Sequence, residues 1–412
     1  MAEELSVDGW VLISAALVLF MTPGLAFFYG GMDRSRSVLN MLMMSFWCTL
    51  SIPILWVIVG YSVAGGNFDA AWFGGFDAAF LGNLNLTSQE GVDELLLVAF
   101  LGMFAVITPA LISGAVADRM KFSAWAIFAP VWMLLVFAPV FKWVYGGWLG
   151  VRGSLDFAGG TAIHVNAGVA ALVAVLILGK RKGWPKEGHP PHSMPLVMLG
   201  TGILWFGWFG FNAGSSLAAD GTAVQAFMNT FLAAAAAGLA WVMVEKIKDG
   251  HITNLGAASG IVAGLVAITP ACGYVSSMSS IFIGLAAGVI CAFAVQLKFK
   301  AGYDDALDVV GVHLVGGLVG SLLIGLFADA KYFGAEHKSG LFYGDGITLL
   351  VEQIIANGVT IIYSGVVTAL ILLALKATIG IRVSEEVEES GIDAAEHAET
   401  GYNMGEIIMG RA

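Results

Sequence analysis

Two histidines stand inside otherwise apolar stretches: His164 in Asp156-Phe157-Ala158-Gly159-Gly160-Thr161-Ala162-Ile163-His164-Val165-Asn166, and His313 in Asp308-Val309-Val310-Gly311-Val312-His313-Leu314. An ionisable ring in hydrocarbon is costly, so such a residue usually faces a bundle interior or a solute path and has a partner. A neutral imidazole offers one donor and one acceptor, and a pair of them can pass hydrogen bonds, and protons, along a line. A mere hydrogen bond across helices is the less favoured reading even for a single intramembrane histidine, and less still for two. Two in similar contexts, each after an Asp and before a glycine-rich stretch, point to one shared site.

The elements that must position these rings are membrane helices. Of 412 residues, 58% are hydrophobic and 12% charged, and the mean hydropathy is +0.84. A soluble domain carries about 25% charged residues. Hydropathy predicts eleven spans, at 8–31, 40–64, 95–115, 122–144, 155–179, 195–215, 222–244, 253–270, 277–297, 305–327 and 348–379, most of them near the ~20 residues that cross a bilayer as helix. His164 falls in the fifth and His313 in the tenth. Five spans is an odd number, so two five-helix halves run in opposite senses, as in an inverted repeat whose shared site lies near the midplane. Each histidine lies near the start of its run. Hydropathy alone therefore leaves open whether they meet or sit near opposite faces.

Basic residues set the orientation. One set of connections holds Arg34, Arg36, Arg119, Lys121, Lys180, Arg181, Lys182, Lys186, Lys246, Lys248, Lys298 and Lys300, and the tail on that side adds Lys376, Arg382 and Arg411. The opposite side holds only Lys142, Arg152, Lys331 and Lys338. This asymmetry over short loops puts the first set in the cytoplasm, with the N-terminus outside and the C-terminus inside a multi-pass protein of the cell (inner or plasma) membrane. The start, Met1 to Asp8, has no positive n-region and does not read as a cleavable signal peptide.

The net charge of −11 concentrates in the outer segment from Asp69 to Glu94 and in eight acids between Glu385 and Glu406. That balance argues against nucleic acid as a partner. Cys48, Cys272 and Cys291 fall in or beside spans and read as buried filler, with neither a disulfide framework nor a metal or cofactor site in their spacing. The loop from Gly65 to Glu94 is expected to pack over a mouth, and Gly188-His189-Pro190-Pro191-His192 reads as a Pro-rich turn. Glycines at four-residue spacing, Gly256, Gly260 and Gly264, then Gly284 and Gly288, predict close helix packing. The chain divides into a membrane domain, 1–380, and a polar tail, 381–412.

Several motifs, in order, resemble the ammonium transporter (Amt/Rh) family, and in particular its prokaryotic Amt-type members. They are Pro23-Gly24 with Phe28-Tyr29-Gly30-Gly31; Asp156-Phe157-Ala158-Gly159-Gly160-Thr161 through His164; Trp205-Phe206-Gly207-Trp208-Phe209-Gly210-Phe211-Asn212-Ala213-Gly214-Ser215; and Asp304-Asp305-Ala306-Leu307-Asp308 through His313. The resemblance implies an all-α polytopic membrane protein of eleven transmembrane helices, with two inverted five-helix halves plus an eleventh helix. It also implies a homotrimer with one pore per subunit, in which His164 and His313 meet in mid-pore. Phe104 resembles the outer and Phe211 the inner of two stacked gate rings. Ser215 resembles the hydroxyl that accepts a hydrogen bond from ammonium at the outer vestibule. Trp208 is similar to the pore tryptophan below the gate, and Phe28 and Thr269 match further pore-lining positions. Where the family places a tryptophan facing the recruited cation, this chain has Tyr145 before Gly146-Gly147, with Trp148 as a second aromatic face; tryptophan is the better cation–π surface. Asp156 is attractive as a proton acceptor, but capping the following helix is the better-supported role.

These residue types suit ammonium, or methylammonium as its analogue. Aromatic faces and a serine oxygen stabilise a compact cation as it sheds water, whereas a bare cation in an apolar tube is costly. The expected route is recruitment as NH4+, deprotonation, and conduction as NH3 past the twin histidines, with separate proton transfer through them. The tail, through Gly391, Asp393, His397 and Tyr402, resembles the family's ordered C-terminal segment, which packs beneath the trimer; Ala398 stands where the family has glycine. In prokaryotic members that segment works with inner loops that bind a PII-type signalling protein. The other readings are an ammonium sensor signalling through the tail, a channel for another neutral gas, and an intramembrane enzyme built on Ser215. The last lacks a nucleophile motif.

Overall fold

In hydrocarbon every backbone amide must be bonded within the chain, which leaves helices as the form that these apolar runs can take. The computed structural model describes residues 2–67, 69–82, 84–334 and 338–402; Glu406 and Arg411 lie outside the described residues. Among the described residues, ten helices are long and apolar enough to cross a membrane: α1 (Val7–Met32), α2 (Val38–Gly65), α3 (Gln89–Val116), α4 (Phe122–Arg152), α5 (Gly160–Leu178), α6 (Met194–Ser216), α7 (Gly221–Asp249), α9 (Ser277–Ala301), α10 (Val310–Phe327) and α11 (Thr348–Thr378). The segment expected to span 253–270 is a shorter helix, α8 (Asn254–Ile268). At 15 residues it reaches only about 22 Å. The chain continues through a buried turn at Thr269, Ala271 and Cys272; non-helical backbone at depth is tolerated when protein surrounds it.

Local chemistry sets where the helices begin. Ser88 Oγ accepts the Gly91 amide, Asp220 Oδ1 the Ala223 amide, and Thr253 Oγ the Gly256 amide, each satisfying an N–H that the first turn leaves without a partner. Pro53 and Pro130 lie inside α2 and α4, and each is followed within a turn by a widened π-helical segment, Trp56–Gly60 and Met133–Phe137. A proline removes one rung of the ladder, and the widened turn accommodates the loss. α4 breaks at Tyr145–Gly147 before its last turn.

Small residues let the second half close tightly. Gly264 of α8 and Gly284 and Gly288 of α9 lie against the backbone of Ala233 and Ala237 of α7. The three cysteines are free and buried. The long loop after α2 folds back over one end of the bundle, where the Trp148 amide donates to Ala71 O and the Trp143 indole to Trp72 O. The helices α5 and α10 begin at opposite ends. α5 starts beside that loop-covered end, and α10 starts beside the end where the C-terminal tail docks.

Candidate functional site

Both histidine segments begin in the same way. Asp156 Oδ1 accepts the amides of Gly159 and Gly160, and Oδ2 those of Thr161 and Ala162, at 2.7–3.0 Å. Asp305 accepts the amides of Val309 and Val310 at 3.1 and 2.7 Å. Each carboxylate opens a π-helical turn, Gly160–Val165 and Val310–Leu314, that carries the histidine. The acid matching Asp156 is thus Asp305. Asp308, the acid nearest His313 in its local motif, turns instead to Lys298 Nζ at 2.7 Å. With four amides on it, Asp156 is fully occupied as a helix cap.

The two turns cross at glycines. A Cβ at Gly168 would run into the Leu314 backbone, and one at Gly317 would stand 3.0 Å from Gly160 O and 3.2 Å from His164 Cβ. This close approach brings the histidines together: Nδ1 to Nδ1 is 3.2 Å, with the rings 5.3 Å apart and within 19° of parallel. One Nδ1 therefore donates and the other accepts. His164 Nε2 is buried without a hydrogen-bond partner, free to meet a solute as donor or acceptor according to the tautomer.

Rings continue the line away from His313. His164 stacks within 20° of Trp208 at 5.5 Å and within 28° of Phe211 at 6.1 Å, and Phe211 lies 4.4 Å from Phe104. The lumen around the histidines is narrow, about 10 Å3, walled by Leu25, Ile107, Leu111, Leu204, Val262 and the rings. That is about one water-sized sphere. Thr269 does not face it. Its Oγ accepts the Trp208 indole N–H at 2.8 Å and donates to Leu265 O at 2.7 Å, so it braces Trp208 from behind. Phe28 lies farther along α1, 5.8 Å from Tyr29, and is not part of this wall.

Beyond Phe104 the path opens into a vestibule of about 200 Å3, lined by Phe100, Phe104, Phe141, Tyr145, Phe157 and Ser215 among others. Ser215 Oγ donates its proton to Phe211 O at 2.8 Å, which leaves its lone pairs as acceptors for a donor in the cavity. Tyr145 packs 4.6 Å from Phe141 and lines the same space. Trp148 stands apart, against Trp72 at 5.3 Å and Trp143 at 6.2 Å. Sequence reasoning missed Phe100, Phe157 and Asp305. For Asp305 a signal existed, since it precedes His313 by the same eight residues that separate Asp156 from His164.

At the other end the tail is bound down. Glu388 bonds Arg382 Nη2 and the Lys182 amide through its carboxylate, and Arg34 Nη2 through its carbonyl, at 2.6–2.8 Å. Asp393 caps α2 through the amides of Leu39 and Asn40, His397 Nε2 lies 3.0 Å from Asn40 Oδ1, and Glu396 accepts the Phe122 amide at the start of α4. Gly391, at φ +110, packs against Arg36, and the Tyr402 hydroxyl lies 2.8 Å from His192 Nε2. Beneath the tail lies a buried charge cluster. Arg34 and Arg181 flank Asp118, and Arg181 pairs with Asp304 at 2.8 Å. Burial works against the charges of Asp118 and Asp304. Arg34 and Arg181 hold Asp118 below the usual carboxylate range all the same, and Arg181 and Arg119 do so for Asp304. Asp33 goes the other way, pushed well up by burial and by the neighbouring Asp118.

Residues 9–402 match the model of the Ammonium Transporter Family. The chain is 50% identical to the ammonium transporter of Mycobacterium tuberculosis (strain H37Rv), over 96% of this chain and 90% of that protein. It is also 50% identical to the ammonium transporter of Aquifex aeolicus, over 98% and 96%. Among solved structures, Candida albicans Mep2 superposes with a TM-score of 0.86 at 32% identity, covering 92% of this chain and 87% of that one. A structure titled Sensor Amt Protein superposes with a TM-score of 0.89 at 28% identity, covering 96% and 99%. With ten apolar helices and relatives named as transporters along nearly its full length, this multi-pass membrane protein belongs to the ammonium transporter family.

Proposed function

We propose that the protein takes up ammonium by recruiting NH4+ in the vestibule, removing one proton, and conducting NH3 through the lumen while the proton passes along His164 and His313. The observation that carries this is the pair itself, two hydrogen-bonded rings in a narrow apolar lumen behind the tilted, contacting rings of Phe104 and Phe211. Phe104, Tyr145 and the Ser215 oxygen form the cation's cup. An ion with its hydration shell does not fit a space of about 10 Å3, and a bare cation there would lack compensating charge. NH3 is small and neutral and can donate to or accept from His164 Nε2. Entry of a proton at one outer ring nitrogen, transfer across the Nδ1 pair, and release from the far ring moves one charge per cycle. On the far side the proton and NH3 recombine.

In this reading α8 and its following turn complete an eleven-helix bundle of inverted halves, assembled as a homotrimer with one pore per subunit. The vestibule faces outside and the tail, 381–412, faces the cytoplasm, as the distribution of Lys and Arg requires. The docked tail and the turn holding His192 form the surface on which a PII-type protein acts. The likeness to a protein titled as a sensor keeps a second reading, in which the tail reports ammonium occupancy to a partner.

Current recording on proteoliposomes under ammonium and potassium gradients tests the transport reading. Ammonium-dependent current without potassium current is expected, and both His164→Ala and His313→Ala should alter ammonium flux. Unchanged flux and discrimination in both variants would overturn the relay. Tight ammonium binding with no flux would favour the sensor.

A further inference from the structure

The eleventh helix carries a buried polar row. Gln353, Asn357, Thr360, Ser364 and Thr368 recur every three or four residues along one face, each at most 2% exposed. Its other face shows Ile354, Ile362, Val366 and Leu370 to the surroundings. Packing against an apolar bundle needs no such row, and burying a polar group in a membrane is costly unless it is bonded.

Three members of the row, Gln353, Asn357 and Ser364, bond the segment that carries His164, whereas Thr368 Oγ accepts the Trp132 indole N–H at 2.9 Å. Gln353 Oε1 accepts the Leu155 amide at 2.7 Å, while its Nε2 donates to Leu155 O at 2.8 Å and Ser321 O at 3.0 Å. Asn357 Oδ1 accepts the Thr161 hydroxyl at 3.2 Å, and Nδ2 donates to Ser321 Oγ at 2.7 Å. Ser364 Oγ donates to Asn166 O at 3.0 Å. The grip points are therefore Leu155, next to Asp156, then Thr161 and Asn166, on either side of His164. Ser321, on the helix that carries His313, joins the same network. A π-helical turn is a rare form, and these bonds grip Gly160–Val165 and its flanks from outside.

We infer that Gln353 and Asn357 are positioning residues for transport. Gln353 sets the Asp156 turn and with it the vestibule wall at Phe157. Asn357, together with Ser364, fixes the rotation of the turn that aims His164 at the lumen. The inference rests on the role proposed for His164 above.

The test compares full-length wild type, Gln353→Leu, Asn357→Leu, Asn357→Asp and His164→Ala in proteoliposomes, with flux scaled to folded protein. Misplacing a reacting group by about 1 Å costs on the order of a hundredfold, so a partial rotation of His164 in Asn357→Leu should lower maximal ammonium flux about tenfold with KM within about twofold. Gln353→Leu should mainly raise KM, by roughly fivefold, because it disturbs the vestibule wall. Asn357→Asp, which when protonated keeps an oxygen for Thr161 and a donor for Ser321, should recover most of the flux. A merely structural role would reduce the yield of folded protein and leave its KM, maximal flux and methylammonium-to-ammonium ratio unchanged. That result, with His164→Ala still impaired, would overturn the inference and leave the transport reading standing. Normal flux in His164→Ala would overturn the inference together with the role proposed for His164, and would leave transport itself standing. If Asn357→Leu does not fold, Thr161→Val removes the same hydrogen bond with a side chain of nearly equal size and is read by the same criteria.

Discussion

Asp156 and Asp305 occupy the same register, each eight residues before a pore histidine, and each caps the π-helical turn that carries it. They differ in load: Asp156 satisfies four amides and Asp305 two. A buried amide left without a partner costs about 1–3 kcal/mol. Asp156→Ala is therefore expected to lower the thermal unfolding temperature in detergent more than Asp305→Ala. Asp156→Asn should fall between wild type and Asp156→Ala, since its carbonyl oxygen still accepts two amides.

The glycine crossing should be asymmetric as well. Gly168 meets the Leu314 backbone directly, whereas Gly317 leaves 3.0 Å to Gly160 O. Overpacking a tight interior costs about 1–3 kcal/mol. Gly168→Ala is expected to separate the histidines and to lose most ammonium flux, with Gly317→Ala the milder of the two. Proteoliposome uptake together with thermal melting checks the order.

Tyr145 and Ser215 both line the vestibule. Replacing it by tryptophan strengthens the cation–π face, an interaction of about 0.5–2 kcal/mol. Tyr145→Trp is expected to lower KM for ammonium roughly two- to fivefold, and Tyr145→Ala to raise it by a similar factor. Competition by methylammonium should shift in the same direction.

The charge cluster beneath the tail sets an acid limit. Asp118 and Asp304 are held below the usual carboxylate value by their arginines, despite burial. A lowered folded-state pKa gives stability that is fully present above the unfolded value, about 3.9, and is lost as pH falls through the folded one. The melting temperature should therefore drop steeply below about pH 4, and Asp304→Asn should flatten that limb while lowering stability at neutral pH. Asp33 has the opposite sign. Its raised value favours folding below the unfolded pKa, and that contribution is lost as pH rises through the folded one. Asp33→Asn is therefore expected to be neutral or stabilising at pH 7.

Much of this protein is determined by its sequence. Twenty-residue apolar runs must become helices, because lipid offers backbone amides no partner, and the paired histidines stand out because an ionisable ring is costly there. Tertiary structure decided what local pattern does not encode. Hydropathy left the depth of the histidines open; the Gly168 and Gly317 crossing puts them 3.2 Å apart. The family resemblance implies a pore-lining Thr269, and in the fold its hydroxyl accepts the Trp208 indole N–H. The buried row on α11 went unread in the sequence: the targets of Gln353, Asn357 and Ser364, namely Leu155, Thr161 and Asn166, lie nearly two hundred residues away. Periodicity shows which face of a helix is buried; only the packed bundle shows what that face holds in place.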